Sequence, residues 1–336
     1  MDNILLNPGP TNTLDSVKNI QTKYSDTCHR TEEFLDLLVE TKINLLRRFS
    51  LDASFDSWNV SIFGGSGTAA MEALISSLLS KTNIIIAGEY GKRAAEMMSL
   101  YNIETKKYFP KTESDILKIN YNTWFSSNLY FVENETTTGE KFSLDAVTKV
   151  FPKSRLYIDA TSAFGATNYT KYLSNIDAIS FCSNKCLQST PGLGIVIWRK
   201  RLEVFKKSYY LNLGNYRNKK DLPFTPPVQS VAALNCALKM STLTENEMNR
   251  RRDQLISDLQ KSDIKCINER PSNSIIGFVH PNKNYEELKH FLKKRNIIIY
   301  NGIENIKNSF RISTMSVKFN DKYDFILEAL NDSCIY

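Results

Sequence analysis

Histidine is scarce in this sequence, with 3 in 336 residues. His29, His280 and His290 lie too far apart to give the ligand spacing of a zinc site, so no metal is expected. The 6 cysteines, Cys28, Cys182, Cys186, Cys236, Cys266 and Cys334, are dilute and scattered. Cys182 and Cys186 bracket Ser183, Asn184 and Lys185, so they are not a C-x-x-C pair, and free thiols in a reducing cytoplasm are the expectation. Long apolar runs are missing as well. The stretch 194–198 is typical of the longest, far short of the roughly 20 residues that cross a bilayer. The first eight residues have neither a basic patch nor an apolar stretch of signal-peptide length. With Gly at 13 and Pro at 10, collagenous and low-complexity chains are excluded. Charge of one sign is also lacking: 43 basic against 36 acidic residues leave +7. The densest basic clusters, around Arg199-Lys200-Arg201, Arg250-Arg251-Arg252 and Lys293-Lys294-Arg295, are interrupted by acidic and apolar residues. No helix-turn-helix, zinc-finger or ribonucleoprotein pattern accompanies them, so neither a nucleic-acid nor a membrane partner is expected.

What remains is globular composition, 42% hydrophobic and 24% charged, in a chain long enough for two domains. Residues 58–63 read as a strand ending at Gly64-Gly65. From Thr68 the apolar positions Met71, Leu74, Ile75, Leu78 and Leu79 recur at helical steps, and 83–87 is a buried strand. Further strands over 129–133, 156–159, 178–182 and 194–198, with a helix over 144–150, predict an α/β fold with a mostly parallel sheet covered on both faces. After Pro226-Pro227 one long helical stretch is predicted over 228–262. Then come strand 274–279, helix 285–295, strands 297–300 and 309–313, and helix 322–331. The expected division is an N-terminal segment 1–14, a large domain 15–245 and a small α+β domain 246–336.

Four stretches carry chemistry. Gly64-Gly65-Ser66-Gly67-Thr68, between strand and helix, lets a phosphate approach free N–H groups at a helix start. The same glycines also fit a loose dinucleotide fingerprint, with Glu89 as the ribose-binding acid. Asp159 ends its strand at the edge where open α/β sheets bind ligands, and a carboxylate there can hold a proton on a pyridine nitrogen. Lys185 follows the strand 178–182 and precedes Pro191-Gly192; such a lysine can form a Schiff base with a carbonyl. Arg311, on the apolar strand 309–313, is either a buried ion-pair partner or a substrate clamp, its donor fork suiting a carboxylate or phosphonate. A phosphate cradle, a strand-end Asp and a strand-end Lys in that order are what pyridoxal phosphate needs.

With these residues in view the chain resembles the fold-type I, class V pyridoxal-phosphate aminotransferases from Leu6-Asn7-Pro8-Gly9-Pro10 to Arg311. The stretches that carry the resemblance are Glu135-Thr136-Thr137-Thr138-Gly139, Asp159-Ala160-Thr161-Ser162-Ala163-Phe164-Gly165, Ser183-Asn184-Lys185-Cys186 and Phe224-Thr225-x-Pro227. The resemblance implies that Lys185 binds the cofactor and shuttles a proton, while Asp159 pairs with the ring nitrogen. Ser66, Gly67 and Thr68 would hold the phosphate, Tyr90 would stack on the ring, and Thr136 would sit beside its phenolic oxygen. Thr225 would reach the phosphate of a neighbouring subunit in a homodimer with shared sites. Arg311 would bind the substrate's anionic group, with Pro8 and Gly9 beside it. Within the family the likeness leans to the branch that moves the amino group of 2-aminoethylphosphonate to pyruvate by ping-pong half-reactions. The stretch Cys28-His29-Arg30 keeps an alanine– or serine–glyoxylate aminotransferase open and brings His29 or Arg30 toward the substrate. A dinucleotide-binding oxidoreductase and a catalytically inactive member of the fold are the readings from other classes.

Overall fold

The computed structural model describes residues 3–119, 126–218 and 220–335. Its centre is a seven-stranded sheet whose spatial order is Trp58–Gly64, Leu193–Arg199, Ile176–Cys182, Arg155–Asp159, Asn128–Val132, Lys81–Ile85, Glu104–Tyr108. All neighbours are parallel except Leu193–Arg199, which runs antiparallel to both of its partners. Alternation along the strands separates two apolar layers. One holds Val60, Ile62, Phe131, Ile158, Phe181 and Ile195. The other holds Phe63, Tyr130, Tyr157, Ala178, Val196 and Trp198. Helices Gly67–Leu78 and Glu89–Leu100 cover the second face. Glu32–Phe49, Leu144–Val150 and Val228–Met240 cover the first.

A smaller antiparallel sheet follows, in the order Lys265–Cys266, Ile275–Val279, Ser309–Ser313, Tyr300–Asn301. It shares a separate core with Leu255, Leu259, Leu288, Leu292, Ile326 and Leu330 from its helices. The N-terminal segment joins this part of the chain: Ile4–Leu5 pairs in parallel with Ile297–Ile298, and Ser313 N–H donates to the Leu6 carbonyl. Among the described residues no helix is long and apolar enough to cross a membrane.

Helices Asp15–Lys23, Glu32–Phe49 and Glu89–Leu100 were not expected from the sequence, and three further differences have a local cause. Glu104–Tyr108 is an unpredicted strand at the sheet edge, and its polar, lysine-rich sequence hides the usual period while protecting that edge. The long helix expected over 228–262 is two helices, Val228–Met240 and Glu245–Gln260. The break occurs because the Thr244 hydroxyl accepts from Glu247 N–H and starts a new helix, while buried Leu243 anchors the turn. The single strand expected over 297–300 is divided between two sheets, because Ile297–Ile298 pairs with the N-terminal segment and Tyr300–Asn301 with Ser309–Ser313.

Candidate active site

The carboxyl ends of the central strands converge on one small cavity. Tyr90, Val132, Asn134, Thr136, Asp159, Thr161, Ser162 and Lys185 line it together. Thr161 of this lining packs against the start of helix Gly67–Leu78. The cap residue of that helix, Ser66, is extended, at φ −96° and ψ 179°, and among the described residues makes no side-chain capping bond. A Cβ on Gly67 would lie 2.9 Å from Thr161 Oγ1 and Cγ2, so glycine is what lets the helix start reach the floor of the cavity.

Asp159 ends its strand almost fully buried. Its Oδ1 accepts from the Thr161 N–H at 2.9 Å and the Thr161 hydroxyl at 2.6 Å, a local turn that aims the carboxylate. Among the described residues it forms no ion pair. Burial pushes its pKa up to about 6, the Thr161 hydrogen bonds and the more distant Lys185 pull down, and Glu135 adds repulsion. Beside it, Asn134 donates to the Ser162 carbonyl at 3.1 Å and to Ser274 Oγ at 3.0 Å. The Ser162 carbonyl fixes which end of the amide faces it, and Asn134 Oδ1 is left as a buried acceptor without a partner among the described residues.

Lys185 stands on a tight turn after strand Ile176–Cys182. Gln188 N–H donates to the Lys185 carbonyl, Ser189 N–H to the Ser183 carbonyl, and Ser183 Oγ to the Thr190 carbonyl. Gln188 takes a left-handed conformation, φ 55°, and its amide donates to the Met315 carbonyl, which ties the lysine turn to the smaller sheet's side of the molecule. Lys185 Nζ donates to the Pro8 carbonyl. Its stem lies against Gly9, where φ is 144° and a Cβ would meet Lys185 Cδ and Cε at 2.9 Å. Burial lowers the Lys185 pKa and Arg311 adds to this, against the raising influence of Cys182, Cys186 and Asp159.

Glu135 braces the side of the cavity that Tyr90 lines. Its carboxylate accepts from the N–H groups of Tyr90, at 3.5 Å, and Gly91, at 3.1 Å, and from the Thr137 hydroxyl at 2.6 Å. It thereby caps helix Glu89–Leu100, which carries Tyr90 to the cavity. Gly88 makes this possible, since a Cβ there would lie 2.5 Å from Glu135 Cγ. Arg311 reaches across from the smaller sheet. Its guanidinium donates to the Thr136 carbonyl, to the Asn301 carbonyl at 2.7 Å and to Asn301 Oδ1 at 2.9 Å, and stacks over Tyr300. No carboxylate pairs with it among the described residues.

Lys185, Asp159, Tyr90 and Thr136 therefore share one cavity, with Gly67 against its floor, Pro8 and Gly9 on the lysine, and Arg311 bonded to Thr136. Ser66 and Thr68 flank the helix start. Thr225 is exposed and does not line the cavity. His29 and Arg30 lie in the loop between the first two helices, outside it, and Glu89 is exposed and paired with Lys92. Asn134, Glu135, Thr161 and Asn301 were not singled out from sequence. Of these, the Asp-x-Thr spacing of a side-chain turn could have found Thr161.

These groups fit pyridoxal phosphate: an uncapped helix start bared by Gly67, a buried carboxylate in want of a cation, a lysine held in the same cavity, and an orphaned acceptor at Asn134.

Comparison with known proteins agrees. A family profile described as aminotransferase class-V matches residues 56–316. The 2-aminoethylphosphonate–pyruvate transaminase of Rhizobium meliloti (strain 1021) is 28% identical over 337 residues, covering 92% of this chain and 87% of its own. The enzyme of the same name from Pseudomonas aeruginosa (strain UCBPP-PA14) is 30% identical over 259 residues, covering 70% of this chain and 67% of its own. Among solved structures, a subgroup IV aspartate aminotransferase from Thermus thermophilus superposes with a TM-score of 0.85 at 22% identity, over 98% of this chain and 99% of that one. An alanine–glyoxylate aminotransferase from Nostoc sp. gives 0.82 at 20% identity, over 99% and 95%. At such identities the structural likeness speaks for the fold, which is that of the fold-type I enzymes.

Proposed function

Because the chain belongs to the aminotransferase class-V family, we propose that it moves the amino group of 2-aminoethylphosphonate to pyruvate, releasing phosphonoacetaldehyde and alanine in two half-reactions. It is a transaminase, and its cofactor is pyridoxal 5′-phosphate. The choice of donor is supported by the names of its relatives at 26–30% identity. The observation that carries the reaction type is the pairing in one cavity of a buried lysine with lowered pKa and a buried, cation-free carboxylate.

The bound cofactor supplies an aldehyde for amines and a ring that accepts the electron pair left when a Cα proton departs. Lys185 acts as nucleophile and then moves the proton on Cα, its amine presented by the Pro8 carbonyl and made easier to deprotonate by burial. Asp159 keeps the ring nitrogen protonated, its Oδ1 aimed by Thr161. Ser66, Gly67 and Thr68 would hold the phosphate, with Tyr90 and Thr136 placed to hold the ring.

Arg311 takes the anionic end of the substrate. Three of its N–H groups are spent on Asn301 and Thr136, which locks the fork, and the rest are left for a carboxylate or phosphonate. Arg311→Gln is expected to raise the KM for pyruvate by about 30- to 1000-fold, since removing one side of a buried charge pair costs several kcal/mol. Steady-state kinetics with pyruvate as the varied substrate measures this. An unchanged KM would remove Arg311 from the site.

Thr225 belongs with a second copy of the chain. It is exposed next to the aromatic cluster of Tyr209, Tyr210 and Phe224, and Tyr209 itself is 86% exposed. We expect this face to be covered in a homodimer, with Thr225 completing the partner's phosphate site. Sedimentation equilibrium should give twice the chain mass, and a monomer would refute it.

The deciding experiment is a donor screen. Purified protein loaded with cofactor is offered 2-aminoethylphosphonate, serine and alanine, each with pyruvate or glyoxylate. Alanine formed from pyruvate with the phosphonate donor supports the proposal. Turnover confined to serine or alanine with glyoxylate transfers the protein to the glyoxylate branch.

A further inference from the structure

Arg93 stands between two of the site residues and, among the described residues, has no acidic partner. It lies one turn after Tyr90 on helix Glu89–Leu100. Its Nη1 donates to Thr68 Oγ1 at 3.1 Å, and its guanidinium lies 4.9 Å from the centre of the Tyr90 ring. It is half-buried, and among the described residues it forms no ion pair. One of its five N–H donors is therefore used by Thr68, and the others have no described protein acceptor.

Thr68 is the second residue of helix Gly67–Leu78, whose start is uncapped. A hydroxyl has a single proton. When its oxygen accepts from a guanidinium, that proton is free to be donated elsewhere, and the uncapped helix start lies next to it. Ser66, Gly67 and Thr68 carry no charge, so neutralising a dianion here falls to the helix dipole and to a neighbouring cation. Arg93 is that neighbour.

We propose that Arg93 is a positioning residue for the cofactor's phosphate. It sets the Thr68 hydroxyl as a donor to the phosphate, adds positive charge beside the cradle, and holds the Tyr90 ring in the same contact. This rests on the reading of residues 66–68 as the phosphate cradle. The competing role is structural, a clamp between helices Gly67–Leu78 and Glu89–Leu100 that never senses a ligand.

The two roles separate when pyridoxal 5′-phosphate is compared with pyridoxal, which lacks the phosphate. Equilibrium dissociation constants are measured by absorbance and tryptophan quenching on cofactor-free protein, with its thermal midpoint as a folding control. Arg93→Met, which keeps the apolar stem, is expected to weaken pyridoxal phosphate by about ten- to hundredfold, the scale of a charge-assisted hydrogen bond, and pyridoxal by less than about threefold. Arg93→Lys should recover part of the loss. In a Thr68→Val background the same change should cost less than in wild type, because part of the effect runs through the shared contact.

Equal weakening of both ligands, or none, overturns the proposal and leaves the clamp. Should Arg93→Met not fold, Thr68→Val with Arg93→Lys carries the comparison, and undiminished discrimination in both would overturn it. A wild-type chain that binds neither ligand overturns the cofactor-site reading and this inference together. Wild-type discrimination that survives in Arg93→Met overturns this inference alone.

Discussion

Lys185→Ala is expected to abolish covalent capture of the cofactor and to lower turnover by at least about 10²–10⁴-fold, the share of positioned proton transfer alone. Loss of the nucleophile adds to this. Two measurements check it: fixation of labelled cofactor by borohydride, and single-turnover kinetics of the donor half-reaction. Lys185→Arg is the informative control, because it keeps a cation against the Pro8 carbonyl yet cannot give up its proton. It should be as inactive as the alanine variant. Activity within about tenfold of wild type in either would remove Lys185 from the chemistry. Burial, with Arg311 adding to it, lowers the Lys185 pKa, so capture of the cofactor should speed up as pH rises through that depressed value. The sign for stability follows the same shift. Between the depressed pKa and the ordinary lysine value the unfolded chain holds the extra proton, so the cofactor-free protein gains stability there as pH rises.

Asp159→Asn should move activity and stability in opposite directions. The Asp159 pKa is pushed up to about 6 from an ordinary 3.8, chiefly by burial. Between those values the unfolded chain has released the proton while the folded chain retains it, so folding loses stability as pH rises through that window. Above pH ~6 the whole cost is present, about 3 kcal/mol at 1.36 kcal/mol per pKa unit. Cofactor-free Asp159→Asn is therefore expected to be more stable than wild type by about 2–3 kcal/mol at pH 8, with the difference vanishing below pH ~4. Denaturant titrations at the two pH values measure this. Turnover should fall by about 10²–10³-fold, since an amide cannot hold the ring-nitrogen proton as a carboxylate does. A variant that is less stable at pH 8 would show instead that Asp159 serves the fold. Bound cofactor offers the missing cation, so loaded wild type should regain the stability that its empty carboxylate costs.

How far the sequence reached depended on the kind of residue. Lys185, Asp159 and Gly67 were legible because each sits at a strand-to-loop or loop-to-helix junction, and local periodicity places such junctions. Pro8, Gly9 and Arg311 were tied to the site by family resemblance; the structure adds the contacts, Pro8 and Gly9 on the Lys185 side chain and Arg311 on the Thr136 carbonyl. The edge strand Glu104–Tyr108 escaped because it is polar and half exposed. Arg93, Asn134 and Asn301 escaped for a different reason. Nothing within a few residues of Arg93 marks it, and its meaning comes from Thr68, 25 positions away.

By itself, then, the sequence determined the α/β class, most strands of the central sheet and the main residues able to do the chemistry, because hydrophobic period, glycine position and strand-end chemistry are local. Only the tertiary structure decided which of those residues meet. It set Lys185 against Pro8 across 177 positions of chain and Arg311 against Thr136 across 175. It also decided how far burial shifts Asp159 and Lys185, because desolvation depends on what the rest of the chain packs around a group.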